Sequence, residues 1–228
     1  MNLRLLQISD SALPIGGYTH SWGLEAAIAR RIVTDAESLE QFVRNWLWHA
    51  LGPLEGVVVA CSCRAGTVPD WEMLTGANLL LTASIAPPSI RAACREMGEQ
   101  LLSLASTWVW SARGIAAFEA GTADGRDHRI WNHPAVFGLL GALAGGSPVE
   151  TLQAYLHQAV MGMIGAGVRA IPVGHTHGQQ MIAYLHEEIT RLATTFANRP
   201  LSSAGGGSPF YEVLCDEQTR LYSRLFRS

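Results

Sequence analysis

Apolar residues recur at steps of three and four along most of the chain, which is the period of an amphipathic α-helix. The clearest stripe follows residue 35 and comprises Leu39, Phe42, Val43, Trp46, Leu47 and Ala50. Thr34 and Glu37 have the spacing of a capping box, which predicts that this helix begins just before the stripe. Gly52 and Pro53 predict a break in the helix and a new beginning behind it.

The same reasoning predicts further helices, whose ends are marked by proline and glycine. We predict them at residues 54–64, 69–86, 89–110, 134–145, 148–169, 176–197 and 210–222. Residues 57–59 are three valines and leave a strand open, although the chain offers no second convincing β-pattern to pair with it. Thr176 and Gln179 predict a capping box at the beginning of their helix. The predicted fold class is all-α: a single-domain bundle of about ten helices with antiparallel neighbours.

Two polar segments interrupt the helical pattern. Residues 122–129 predict a surface loop, and residues 202–208 predict a glycine-rich linker. We therefore divide the chain into a helical domain at 1–200 and a linker with a C-terminal helical tail at 201–228. A helix shorter than about 12–15 residues is marginal in water, so the tail either packs on its own domain or waits for a partner. The linker favours a tail that becomes ordered on binding.

Composition narrows the classes of function. The chain is 48% hydrophobic and 15% charged, with a formal net charge of -3, so we expect no general attraction to nucleic acid or an anionic membrane. All sixteen basic residues are arginine, which excludes a phosphate-loop lysine and a Schiff-base lysine. Four cysteines are too few for a disulfide scaffold. The first residues do not resemble a signal peptide, and we expect a cytoplasmic protein.

The candidate chemical groups give little support for catalysis or for a metal site. Cys61 and Cys63 stand two apart in a predicted helix and point in different directions, so they do not chelate one ion together. His175 and His177 stand in a loop at the predicted start of a helix, where both rings can face one ion, but no nearby acid or cysteine completes a ligand set. No Gly-x-Ser-x-Gly elbow is present. We predict no catalytic residue, no bound metal and no cofactor.

Two other segments indicate close packing or recognition. Gly162, Gly165 and Gly167 cluster in one predicted helix, which indicates a backbone packed against another helix in the core or across a dimer. Residues 14–17, Pro-Ile-Gly-Gly, predict a tight turn between two short helices. This segment is either a purely structural turn or part of a recognition surface. The residues that follow it and favour recognition are Tyr18, His20, Ser21 and Trp22.

Three motifs resemble the UreF family of urease accessory proteins. The first is the run at residues 10–25, Asp-Ser-Ala-Leu-Pro-Ile-Gly-Gly-Tyr-Thr-His-Ser-Trp-Gly-Leu-Glu. The second is Val-Arg-Ala-Ile-Pro-Val-Gly at 168–174, followed by Thr176, Gly178 and Gln179. The third is Leu-Tyr-Ser-Arg-Leu-Phe-Arg-Ser at 221–228. Their order and spacing cover nearly the whole chain.

The resemblance implies an all-helical, homodimeric chaperone without enzymatic activity of its own. Such a protein binds a UreD-type (also called UreH-type) scaffold protein and, with it, the UreG-type GTPase. The assembly inserts nickel into apo-urease in a GTP-dependent manner, and the UreF-like member modulates the GTPase.

The resemblance also implies roles for particular residues. The residues that dock on the UreD/UreH-type partner are Tyr222, Arg224, Leu225, Phe226 and Arg227. The surface that faces the UreG-type GTPase or the dimer mate includes Tyr18, His20, Ser21 and Glu25, while Arg169 and Gln179 order the turn around Pro172. Two other classes stay open beside this binding module: an enzyme that uses His175 or His177, and a carrier that holds nickel itself.

Overall fold

The computed structural model describes residues 1–123 and 130–228, and within these ranges it contains α-helices and no β-strand. The predicted all-α bundle is confirmed. The predicted loop at 122–129 lies almost wholly outside the described residues. The helices are α1 Leu3–Ile8, α2 Leu24–Ala29, α3 Ala36–Trp46, α4 Val57–Thr67, α5 Trp71–Ser84, α6 Pro88–Ala105, α7 Ala112–Thr122, α8 His133–Leu143, α9 Pro148–Ala170, α10 His175–Phe196 and α11 Pro209–Gln218.

Helix α8 is the centre of the bundle, and every residue from His133 to Gly141 is buried. Glycine allows the neighbouring backbones to reach it. A Cβ atom on Gly138 would overlap the backbone oxygen of Val59 in α4 and lie 2.7 Å from Ser62 Cβ. A Cβ atom on Gly98 of α6 would overlap the oxygen of Trp131, just before α8. The backbones of α4 and α6 therefore lie in close contact with α8 at these glycines. This close packing fixes the positions of the other helices.

The predicted break at Gly52 and Pro53 is wrong. The chain continues from α3 into α4 through a π-helical segment, Leu47–Gly56, that contains Pro53. Proline has no N–H group, so an α-helix at this point would leave the carbonyl of His49 without its usual donor. The wider turn accommodates the ring, as π-helical turns inside α-helices do.

The glycine-rich linker is not a free tether in this structure. Gly207 donates its N–H to the oxygen of His49 at 2.7 Å, and Gly205 donates to the oxygen of Pro53 at 3.0 Å. The linker therefore supplies donors to carbonyls of the π-helical segment. It delivers α11 to the surface formed by α2 and α6.

Several predicted helix boundaries are corrected by the structure. The first capping box is formed by Asp35 and Ser38, one residue later than predicted. Residues 57–59 belong to α4 and not to a strand. The helix predicted at 89–110 ends at Ala105, where the Ser111 hydroxyl donates to the Ala105 oxygen. Helix α10 begins at His175 without a side-chain cap, so the second predicted capping box is wrong.

The tail and the glycine cluster also differ from simple expectation. The last helix ends at Gln218 and not near residue 222, and the following residues are non-helical. In the glycine cluster, only Gly167 lies against another helix, since its Cβ would overlap Leu39. Gly162 and Gly165 face open space. Among the described helices, none is long and apolar enough to cross a membrane.

The contrast between Gly138 and Gly162 gives a direct test of the packing. We expect Gly138→Ala to lower the free energy of unfolding by about 1–3 kcal/mol, because the added methyl group overlaps α4. The measurement is urea-induced unfolding followed by circular dichroism.

The control is Gly162→Ala, which adds the same methyl group in the interior of α9 where nothing lies within 4 Å. It should leave stability unchanged or raise it by up to about 1 kcal/mol, since alanine is the better helix former. Equal destabilisation by the two substitutions would contradict the proposed packing of α4 on α8.

Candidate docking surface at the joined chain ends

The turn behind α1 has an unusual backbone. Gly16 and Gly23 have φ angles of 87° and 82°, in the left-handed region that glycine tolerates. Trp22 also has a positive φ, 53°, which is uncommon for a bulky residue and costs free energy. The Trp22 N–H donates to the backbone oxygen of Ser228 at 3.0 Å, and the Ser21 N–H donates to the same oxygen at 2.5 Å. The far end of the chain therefore helps to hold this strained turn.

Side chains reinforce the same junction. His20 Nδ1 and the Ser228 hydroxyl are 2.6 Å apart, and both residues are buried. Gln218, at the end of α11, donates from Nε2 to the Ser21 hydroxyl at 2.7 Å. The polar side chains of this turn are thus occupied by contacts within the chain.

Glu25 fixes the tail through its carboxylate. Its Oε1 accepts the N–H of Leu225 at 2.5 Å, and its Oε2 accepts the N–H of Phe226 at 3.2 Å. The N–H of Arg227 donates to the oxygen of Thr19 at 2.8 Å. Hydrogen bonds to an ionised acceptor are stronger than neutral ones, so this carboxylate orders a segment that has no helical bonds of its own.

Arg169 closes the junction from α9. Its guanidinium carbon lies 3.9 Å from the centre of the Tyr18 ring and 4.6 Å from that of Phe226. Both terminal nitrogens donate to the oxygen of Tyr18 at 3.2 Å, and Nε donates to Gly165. Arginine suits this place because a planar cation can stack on aromatic rings while it donates hydrogen bonds. We call residues 18–25, Arg169 and residues 218–228 the end clasp.

The structure separates the five residues predicted to dock a partner into two groups. Phe226 is only 5% exposed and packs inside the end clasp, and Arg227 forms an ion pair with Glu96 at 3.1 Å. Tyr222 and Leu225 are 106% and 70% exposed, and Arg224 is also exposed. The tail therefore uses part of its sequence to hold itself in place and displays the rest.

The residues predicted for the other surface divide in the same way. Tyr18 is 69% exposed, and Gln179 on α10 is exposed as well. His20 and Ser21 are buried and support the turn from below. Burial and, to a smaller extent, the nearby Arg227 cation lower the pKa of His20 to about 4, while Glu96 opposes the shift. His20 is therefore neutral at pH 7, and its hydrogen bond to Ser228 joins two uncharged groups.

A cavity of about 390 Å³ opens beside the end clasp. Its exposed lining residues include Asp10, Tyr18, Arg169, His175 and Gln179, and Gly162 and Gly165 of α9 also line it. Its buried lining is polar in places. His133 Nε2 and Gln158 Oε1 are buried and have no hydrogen-bond partner among the described protein atoms.

A carboxyl group lies deep in this cavity. The hydroxyl of Tyr155 donates to Glu55, which lies on the π-helical segment. Burial raises the pKa of Glu55 to about 7, and the Tyr155 hydrogen bond only partly opposes that shift. Burial likewise raises the pKa of the neighbouring Cys94 thiol. Burial lowers the pKa of His133 to about 4, so this imidazole is neutral at pH 7, whereas the Glu55 carboxyl is partly ionised there.

The structure does not bring His175 and His177 together. Both lie in the first turn of α10, where side chains two apart point to different sides of the helix. His175 lines the cavity, whereas His177 lines a separate groove with Glu37 and Tyr184. The expectation that both rings can face one ion is wrong for this reason. Across the described residues, no group of three or more histidine, cysteine or acidic side chains is placed to hold a metal ion.

Sequence reasoning missed several residues of this region. Thr19, Glu96 and Gln218 carry contacts of the end clasp, but these contacts join residues far apart in the chain, which no local pattern indicates. Glu55 had a visible signal, because it is the only acid in the apolar stretch at residues 47–65. The cavity depends on which helices meet, and no local pattern reveals that.

The pH dependence of stability tests the burial of Glu55. Its folded-state pKa of about 7 lies above its ordinary value, so the unfolded chain releases the proton first and stability falls as pH rises from about 4.5 to 7. Glu55→Gln removes this loss and keeps an oxygen for Tyr155. We expect the free energy of unfolding of the variant, relative to that of the wild type, to increase by on the order of 2 kcal/mol as the pH rises from 4.5 to 7.5.

His20 and His133 act in the opposite direction, because their lowered pKa values make stability rise with pH between about 4 and 6.5. They are present in both proteins, so their effect cancels in the difference between the two unfolding curves. Glu72→Gln, an exposed acid on α5, is the control. A difference between Glu55→Gln and wild type that does not change with pH would refute the assignment.

Comparison with known proteins agrees with the resemblance of the sequence motifs to the UreF family. The family model UreF matches residues 33–186. The chain is 31% identical over 231 residues to the urease accessory protein UreF of Cupriavidus metallidurans, covering 99% of this chain and 97% of that protein. It is 29% identical over 225 residues to the urease accessory protein UreF of Granulibacter bethesdensis, covering 99% of this chain and 93% of that protein. The chain therefore belongs to the UreF family of urease accessory proteins.

Proposed function

We propose that this chain is a cytoplasmic, homodimeric chaperone of urease maturation that acts by binding other proteins and catalyses no reaction itself. Its partners are a UreD/UreH-type scaffold protein and a UreG-type GTPase, and the complex acts on apo-urease. Nickel is the cargo of that complex, and GTP is hydrolysed by the partner. The observation that carries the proposal is the end clasp, which presents two sequence motifs of the family as one surface.

The tail supports docking on the scaffold protein. Tyr222 and Leu225 are exposed side chains in a segment that has no regular structure, yet hydrogen bonds from Leu225 and Phe226 to Glu25 fix the backbone at Leu225. Large side chains held in place beforehand lose less conformational entropy on binding. Arg224 adds exposed positive charge beside them, which favours a partner with a complementary acidic patch, whereas Arg220 is paired with Asp216 at 2.7 Å. The prediction that the tail becomes ordered on binding stays a prediction.

The turn supports a second contact. Tyr18 and Gln179 are exposed around the mouth of the cavity, and Arg169 holds Tyr18 in place. The open face of α9 at Gly162 and Gly165 lies in the same cavity and lets another backbone approach closely. We assign this side to the GTPase or to the mate in a homodimer.

A role in assembly fits the chemistry better than catalysis. The four cysteines are unsuited as nucleophiles, since they are buried and burial raises the pKa of their thiols. The relatives are named as accessory proteins of urease. A hydrolase built on His175 or His177 has no support from their positions on separate sides of α10.

The tail offers a sharp test because its exposed side chains can be changed without touching the packed ones. We expect Tyr222→Ser combined with Leu225→Ser to weaken binding of the scaffold protein at least about tenfold, since exposed aromatic and aliphatic anchors dominate such interfaces. The measurement is titration of the purified variant with the UreD/UreH-type protein in a pull-down.

Val109→Ser is the matched control, because Val109 is a fully exposed apolar residue in the turn behind α6, outside the tail. It should bind like the wild type. Unchanged folding is checked by circular dichroism for all three proteins. Full-strength binding by the tail variant would refute the assignment of the tail to the scaffold protein.

A further inference from the structure

Two histidines face each other across the groove between α9 and α10, on a part of the surface that belongs neither to the end clasp nor to the cavity. The ring centres of His157 and His186 are 5.7 Å apart, and the ring planes are inclined by 38°. One turn further along, Gln153 of α9 and Thr190 of α10 are joined by a hydrogen bond of 3.5 Å. The register of the two helices therefore fixes this histidine pair.

We propose that His157 and His186 form a two-ligand site for a divalent cation that accepts imidazole nitrogen, Zn²⁺ or Ni²⁺, bridging α9 and α10. Imidazole nitrogen binds such ions at about 2.0–2.1 Å. Two rings on one ion in tetrahedral geometry then have their centres roughly 5 Å apart, given this bond length. The observed spacing is close to that value, and small side-chain rotations supply the rest. This metal-site proposal does not depend on the proposed function.

The electrostatics of the pair agree with metal binding. Burial lowers the pKa of His157, and the charge of His186 lowers it further. Two protonated imidazoles at this distance repel each other, so one ring at least presents a free nitrogen near neutral pH. An ion that binds both rings replaces that repulsion with two bonds. Binding should therefore weaken as pH falls and protons compete for the rings.

The surroundings define what kind of site this is. His157 is half-buried, and His186 is exposed, which leaves a path for the ion from solvent. The described residues contain no cluster with a third histidine, cysteine or acid in reach. Water completes the coordination, so the site is open and exchangeable, unlike a closed structural zinc site.

The test is isothermal titration of the full chain with ZnCl₂ and, separately, with NiCl₂ at pH 7.5. We expect one ion per chain, and an affinity at least about tenfold lower in His157→Gln and in His186→Gln, a loss at least as large as that from an outer-shell partner. His177→Gln is the control, because His177 is an exposed histidine of the same helix that lines a different groove. It should bind like the wild type.

A second readout separates binding from misfolding. A ligand that binds only the folded chain raises the midpoint of thermal unfolding, so saturating Zn²⁺ should raise it in the wild type and in His177→Gln but not in the double variant His157→Gln/His186→Gln. Circular dichroism checks that the double variant is folded. Saturable binding that survives in the folded double variant, or no saturable binding to the wild type, would overturn the proposal.

Discussion

The fold depends on backbone contact between α8 and its neighbours. Helix α8 is buried along most of its length, and Gly138 and Gly98 are the positions where α4 and α6 reach it. A buried helix with small residues at its contacts sets the spacing of the whole bundle, because packed interiors do not deform continuously. The π-helical segment, the cavity and the surface that receives α11 are all positioned by this arrangement.

The second organising feature joins residues about 200 positions apart. The Glu25 carboxylate accepts two N–H groups of the tail, and Arg169 lies against one aromatic ring from each end of the chain. These contacts stabilise two segments that have few internal hydrogen bonds. The exposed residues of both segments lie beside a cavity, which suits the docking role proposed for this urease accessory protein.

Local sequence patterns predict the helical class and most helices, since their stripes and proline boundaries reflect local physics. They also identify the family through the motifs at the chain ends. They mistake Gly52 and Pro53 for a break, because the linker that supplies donors to that segment is distant in sequence. Local patterns do not reveal the end clasp or the proximity of His157 and His186 for the same reason, because these contacts join residues distant in sequence. The division of the tail into packed Phe226 and exposed Leu225 required the three-dimensional contacts.

The central claim is that the two chain ends form one cooperative unit. Hydrogen–deuterium exchange of the wild type and Glu25→Gln, followed by mass spectrometry, tests it most directly. The neutral amide accepts weaker hydrogen bonds from the tail. We expect faster exchange in residues 225–228 and also in residues 19–22, with α8 unchanged. Faster exchange confined to the tail, with the turn still protected, would contradict it.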